Sequence, residues 1–181
     1  SASSTCAAAE PPPAKEVAEE LLRSAGVSGG LCSHVGCGDG ELTAALARAG
    51  RLVVHALDPD PVAVAAATAR LRSEGLYGPA WVEEHRARTL PYAEDLVNLV
   101  VLGTPSRLGI PLDEVVRVLC PGGVAFLALD RDAGGPIAGD SANADLARVA
   151  ALEVSGRIES AGLVWNDRPW LRLRKPWPPQ M

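Results

Sequence analysis

The stretch His34-Val35-Gly36-Cys37-Gly38-Asp39-Gly40 sets glycine at three alternate positions, and one short helix later Val53-Val54-His55-Ala56-Leu57-Asp58 ends in a carboxylate. Between a strand and a helix, such glycines make a turn whose backbone a ligand can approach closely. An Asp closing the next strand can grip the hydroxyls of a ribose. Together they describe a nucleoside-binding crevice. A dinucleotide fingerprint G-x-G-x-x-G would need its third glycine at position 41, which is Glu41 here. Other groups with chemistry to offer are few. His55 lies within a strand and reads as a core or edge residue, and Cys37, inside the turn, reads as a passive small residue. His85 and Tyr92 are expected around the crevice, and Asp130, after a later strand, is expected to face the pocket. Gly103-Thr104-Pro105-Ser106 contains no metal-ligating carboxylate and identifies no substrate.

These residues need a scaffold, and the pattern along the chain supplies one. Val17, Ala18, Leu21 and Leu22 follow a helical period over 14–25, stopped by Gly26. A strand over 31–35, the glycine turn and a helix over 41–49 form a first β-α unit, and a strand over 51–57 with a helix over 61–74 forms a second. Pro61 suits the first turn of that helix, and Asp60 rather than Asp58 is expected to cap it. A third strand is expected over 80–84. The nearly continuous apolar run 96–102 predicts a central strand covered on both faces. A helix over 112–119, stopped by Pro121-Gly122-Gly123, precedes a strand over 124–129. Residues 130–143 form a small-residue loop, a candidate lid, before a helix over 144–161 and two short strands over 162–165 and 170–173. Alternation of this kind predicts an α/β, doubly wound sheet of about seven strands with helices on both faces. Ligands of such sheets bind beyond the carboxyl ends of the strands, where the glycine turn sits.

A chain of 181 residues fits one domain, and a formal net charge of −5 argues against a general nucleic-acid binder. Cys6, Cys32, Cys37 and Cys120 form no C-x-x-C pair, so neither a disulfide framework nor a zinc site is suggested. No apolar run is long enough for a membrane span. Residues 1–13, rich in Ser and Ala and ending in three prolines, read as a disordered leader or the remnant of a cleaved export segment. The domain proper is expected over 14–175, with a Pro-rich tail or linker over 176–181.

The G-x-G-x-G spacing, Asp58, the Leu90-Pro91-Tyr92 segment and Arg117-Val118-Leu119-Cys120-Pro121-Gly122-Gly123 together resemble the class I S-adenosylmethionine (SAM) dependent methyltransferases. The likeness runs from about Leu31 to Leu173. It implies a Rossmann-like sheet, mostly parallel with an antiparallel C-terminal strand, and SAM as cofactor with S-adenosylhomocysteine as product. It places the cofactor among His34, Gly36, Cys37, Gly38, Gly40, Asp58, Pro59, Arg86 and Ala87, with Asp58 accepting from both ribose hydroxyls. The implied reaction moves a methyl group to an unidentified small-molecule acceptor, with no metal and no assigned catalytic residue. The implied compartment is the cytoplasm. The His-Val-Gly-Cys-Gly-Asp-Gly and Lys-Pro-Trp-Pro segments are also similar to those of methyltransferase-like domains in front of quinoprotein-type β-propellers of exported bacterial proteins. That resemblance implies an exported or periplasmic module, with a partner domain or subunit completing the lid.

Three positions depart from the family pattern. His34 stands where a carboxylate usually meets the methionine ammonium, and the departure is expected to weaken SAM binding. Arg86 stands where an Asp usually accepts from the adenine amino group, and Asn98 replaces an Asp of strand four. A degenerate module, serving as nucleoside sensor or interaction domain, is the alternative these positions favour. A nicotinamide-dependent oxidoreductase is disfavoured by Glu41. The segment 170–179 is expected to be an edge strand leaving the domain, with docking of Lys175-Pro176-Trp177 as its sharper reading.

Overall fold

A computed structural model of the chain describes residues 13–49, 51–103, 108–129, 140–165 and 168–178. Helix α1 (Ala14–Ala25) ends at Gly26, whose left-handed φ of 65° lets its N–H turn back to the Leu22 carbonyl. There follow β1 (Gly30–Val35), α2 (Glu41–Arg48), β2 (Leu52–Asp58), α3 (Pro61–Ser73), β3 (Ala80–Glu84) and β4 (Val97–Leu102). Then come α4 (Leu112–Val118), β5 (Leu119–Ala128), α5 (Asp140–Val154), β6 (Glu159–Trp165) and β7 (Arg168–Arg174). The strands form one sheet in the order β3-β2-β1-β4-β5-β7-β6. Neighbours from β3 to β5 run parallel, and β7 lies antiparallel to both β5 and β6. The α/β sheet expected from the alternation is therefore present, with the antiparallel C-terminal strand that the resemblance implied.

The period-two alternation of the strands divides the core into two layers. Cys32, Val54, Ala56, Leu99, Val101, Val124 and Phe126 face one side and pack against α1, α2 and α3 through Ala18, Leu21, Leu46, Ala67 and Leu71. Val35, Leu57, Val100, Leu102, Ala125, Leu127, Leu171 and Leu173 face the other side, against Val115 and Val116 of α4 and Val149 and Leu152 of α5. Strand β4 contributes to both layers, which explains its unbroken apolar sequence. Each fully buried Leu or Phe in these layers contributes roughly 1.5–3 kcal/mol by its removal from water.

The C-terminal half differs from the sequence expectation in three places. The helix expected over 144–161 is α5, which begins at Asp140 and stops at Val154. Gly156, at φ 68°, turns the chain into a longer β6. Pro121-Gly122-Gly123 stops α4 without a loop, because β5 already starts at Leu119. The register steps from Val97↔Leu119 to Leu99↔Val124, so the extra residues bulge out of the ladder. Strand β7 is also interior rather than an edge, since β6 pairs along its outer side. Its exit docks back on this same chain. Lys175 exchanges backbone hydrogen bonds with Gly122 and Gly123 at 2.8 and 3.0 Å, and its Nζ reaches Asp95 and the Val116 carbonyl. Trp177 lies so close over Gly122 that a Cβ there would sit 2.8 Å from its Nε1.

The expected leader, the lid loop with Asp130, Thr104-Pro105-Ser106 and the end of the tail lie outside the described residues. Among the described residues no helix is long and apolar enough to cross a membrane. Cys32, Cys37 and Cys120 are free thiols.

Candidate functional site: a glycine turn over the ends of β1 and β2

At the carboxyl ends of the central strands the ladder runs on past the last residues. The Gly36 N–H bonds the Leu57 carbonyl at 2.8 Å, Gly103 N–H the Val35 carbonyl at 3.0 Å, and His85 N–H the Asp58 carbonyl at 2.9 Å. Four strand ends are thus held at one level around the glycine turn. Gly36, Gly38 and Gly40 have φ of 78°, 54° and 80°, a region that costs any other residue about 1–2 kcal/mol. Their surroundings differ. A Cβ on Gly40 would lie 2.7 Å from the Ala67 Cβ, so this glycine lets α2 and α3 approach. A Cβ on Gly36 would meet Leu108 at 3.0 Å, whereas one on Gly38 meets nothing within 4 Å among the described residues. Gly38 is the turn residue whose missing side chain leaves open space.

Asp58 is buried, and its carboxylate organises this turn. Oδ2 accepts from the Gly38 N–H at 2.9 Å, and Oδ1 accepts from the Asp60 N–H at 3.0 Å. Each ionised oxygen retains a further lone pair, so the group can still accept from a diol. Helix α3 is capped by Asp60, whose Oδ1 accepts from the Val62 N–H at 2.9 Å, as expected. Asp58 is thereby free of capping duty. Arg70 of α3 holds the turn from outside, with Nε donating to the Asp39 carbonyl at 3.0 Å and Nη2 to its carboxylate at 2.6 Å. Sequence reading missed Arg70, because only the packing of α3 on α2 brings it within reach from 31 residues away.

The structure gives the unusual residues definite places. His34 points under α2, where its Nδ1 shares a hydrogen 2.8 Å from the Thr43 hydroxyl. Burial holds its pKa down to about 4, with Asp58 pulling weakly the other way, so the imidazole is neutral near pH 7. Cys37 is buried, and burial first, with Asp58 second, pushes its thiol up to about 12. It is no thiolate nucleophile. Arg86 leaves the end of β3 exposed and pairs with Glu84, Nε to Oε1 2.7 Å, with Ala87 exposed beside it. Asn98 sits at the opposite end of the sheet. Its Oδ1 accepts from the Leu31 N–H at 2.9 Å and its Nδ2 lies 3.3 Å from the Cys120 Sγ, so it satisfies backbone and has no bearing on the crevice.

Two residues expected around the crevice are otherwise employed. The Tyr92 side chain turns away from it onto the sheet face, where its hydroxyl lies between Ser33 and His55 and burial raises its pKa. The His85 ring lies 2.8 Å from the Thr89 carbonyl and closes the loop that displays Arg86 and Ala87. Arg88 of the same loop donates to the Gly109 carbonyl at 3.1 Å, bridging towards the segment after β4. His55 is buried, as its place in a strand implied. Among the described residues no group of three or more His, Cys, Asp or Glu is arranged to hold a metal.

Residues 34–123 match the family model for a methyltransferase domain, while no curated protein matches the sequence. Solved structures share the fold over most of their length. A SAM-dependent methyltransferase from Aquifex aeolicus is 20% identical with a TM-score of 0.65, covering 87% of this chain and 88% of its own. Geranyl diphosphate methyltransferase, solved in complex with SAM, is 14% identical with a TM-score of 0.63, covering 89% and 84%. The 4+2 cyclase SpnF is 19% identical with a TM-score of 0.68, covering 91% and 82%. At such identities the likeness establishes architecture, and the cyclase shows that the architecture does not fix the reaction. By the matched segment the chain carries a methyltransferase domain, and its sheet has the Rossmann-like fold of the SAM-dependent methyltransferases it resembles.

Proposed function

We propose that the chain binds SAM over the glycine turn and transfers its methyl group to a small-molecule acceptor, with S-adenosylhomocysteine as product. The observation that carries this reading is the Asp58 carboxylate, buried, fixed by the Gly38 and Asp60 amides, and next to the one turn glycine that faces open space. That arrangement fits a ribose diol. In this reading Gly36, Cys37, Gly38 and Gly40 pass beneath the ribose and methionine part, Asp58 accepts from the ribose hydroxyls, and Pro59, Arg86 and Ala87 flank the adenine. Arg86 has only donors, so the acceptor for the adenine amino group is assigned to Glu84, its ion-pair partner. His34, neutral and bonded to Thr43, braces the turn and supplies no counter-charge to the ammonium.

When bound, SAM supplies an electrophilic methyl on a sulfonium. The protein then has to hold the acceptor in line and exclude water, which asks for placement rather than a reactive side chain. A net charge of −5 weighs against a nucleic-acid backbone as acceptor and supports a small molecule. Dependence on SAM supports a cytoplasmic setting.

Calorimetric titration with SAM, S-adenosylhomocysteine and NAD, on the wild type and on Asp58→Ala, tests the reading. Micromolar binding of the two adenosyl ligands and not of NAD is expected. The variant should lose at least about tenfold, because hydrogen bonds to a charged acceptor are worth about 1.5–3 kcal/mol each. A folded wild type, free of co-purified ligand, that binds neither adenosyl compound at millimolar concentration would exclude a working cofactor site.

A further inference from the structure

Strands β1, β2 and β3 set Ser33, His55 and Trp81 side by side in register, all on the face that carries Val35 and Leu57. On that face α4 and α5 pack against the other half of the sheet. Over β1 and β2 the segment after β3 lays down a single tyrosine. The Tyr92 Oη lies 3.0 Å from the Ser33 Oγ and 2.9 Å from the His55 Nδ1. The His55 ring stacks on Trp81 at 4.5 Å between centroids and meets Tyr92 edge-on. Its Nε2 lies 3.3 Å from the Glu83 Oε2 and makes no hydrogen bond among the described residues.

We propose that Tyr92 is a positioning residue of the nucleoside site: its hydroxyl, shared between Ser33 and His55, fixes the segment from His85 to Tyr92 over the end of β2, and His55 makes that fixation sensitive to pH. This rests on the function proposed above. At its start the segment is tied to Asp58, the ribose acid, through the His85 amide. Beyond Arg86 and Ala87, the Leu90 N–H donates to Glu114 at 2.7 Å and the Tyr92 carbonyl accepts from Arg117 at 3.0 Å. Those backbone ties fix where the segment lies along α4. The Tyr92 hydroxyl ties the far end of the segment down to the sheet, through Ser33 of β1 and His55 of β2.

The chemistry of the three hydroxyl and imidazole groups sets the direction of the pH effect. The Tyr92 hydroxyl donates to the Ser33 Oγ and so accepts from His55 Nδ1–H, which leaves Nε2 of the neutral ring as a bare nitrogen facing Glu83. A second proton goes to Nε2, where the Glu83 carboxylate attracts it, and it makes Nδ1–H a stronger donor to Tyr92. Burial holds the His55 pKa below the ordinary histidine value, His85 adds to this, and Glu83 opposes it. The groups facing the ring are therefore Glu83 and Trp81 from β3, Ser33 from β1, and Tyr92 and His85 from the segment itself.

Tyr92→Phe keeps the ring packing and removes the hydroxyl, and His55→Gln removes the titration. S-adenosylhomocysteine affinity is measured for both variants and the wild type at about pH 7.5 and about pH 5.5, and amide exchange of residues 85–90 is followed on the same proteins without ligand. Tyr92→Phe should weaken binding about three- to tenfold at the higher pH, the equivalent of one net hydrogen bond. It should also speed exchange in the segment. Wild-type affinity should rise on acidification, and His55→Gln should abolish that rise. A pH dependence that survives His55→Gln, or unchanged exchange in Tyr92→Phe, overturns the proposal. A wild type that does not bind S-adenosylhomocysteine overturns the functional reading and the consequence for affinity. The exchange rates then decide the clamp alone.

Discussion

Gly38 and Gly40 occupy the same turn with similar backbone conformations, and replacing each by alanine should have different consequences. Both lie at positive φ, 54° and 80°, so a methyl group costs about 1–2 kcal/mol at either from conformation alone. At Gly38 nothing among the described residues lies within 4 Å of the new Cβ, so the cost stops there. At Gly40 the Cβ would meet the Ala67 Cβ at 2.7 Å and the Ala67 Cα at 2.9 Å. One is a backbone atom of α3, so two packed helices must part, at roughly 1–3 kcal/mol more. Gly40→Ala should therefore lose about 2–5 kcal/mol against about 1–2 for Gly38→Ala. At about 2–4 °C per kcal/mol, that places the Gly40 variant several degrees below the Gly38 variant in Tm. Urea unfolding of both, with adenosyl-ligand titration of the folded proteins, separates the roles. Gly38→Ala should weaken ligand binding out of proportion to its stability loss, because its methyl enters the open space above the turn. Equal stability losses would refute the assignment of Gly40 to helix packing, and unimpaired binding by Gly38→Ala would refute the assignment of Gly38 to the ligand face.

Two further outcomes rest on groups away from the ligand face. His34 has its pKa held at about 4 by burial, against about 6.5 in an unfolded chain, so the unfolded state takes up a proton that the folded state refuses. The stability present above about pH 6.5 is lost as pH falls toward about 4, by up to roughly 3 kcal/mol, and His34→Gln should flatten the urea-unfolding difference between those limits. An equal fall in the variant would place the titration elsewhere. At the opposite end of the sheet, Lys175→Ala breaks the tie to Asp95, half of which is exposed. It should cost no more than about 1 kcal/mol of stability and leave ligand affinity unchanged, and a change in affinity would show that this strap communicates with the crevice.

The sequence alone determined the glycine turn, Asp58 and the alternation of elements, because each is written in local chemistry. Glycine spacing sets a left-handed turn, a proline and an aspartate start α3, and an unbroken apolar run marks a strand covered on both sides. The role of Asp60 as cap was equally local. Tertiary structure decided what depended on neighbours far along the chain. Sequence could not place β7 inside the sheet, because an interior and an edge strand carry the same short alternation when one partner is β6. Asn98 and Asp58 are both polar residues at strand ends, yet one lies at the amino end, holding Leu31, and the other at the carboxyl end, holding the turn. Tyr92 read as a crevice residue, and only the pairing of β1, β2 and β3 in register created the Ser33–His55 notch that draws its hydroxyl down. Side-chain direction on a loop follows from the surface the loop crosses, and that surface exists only once the strands have paired.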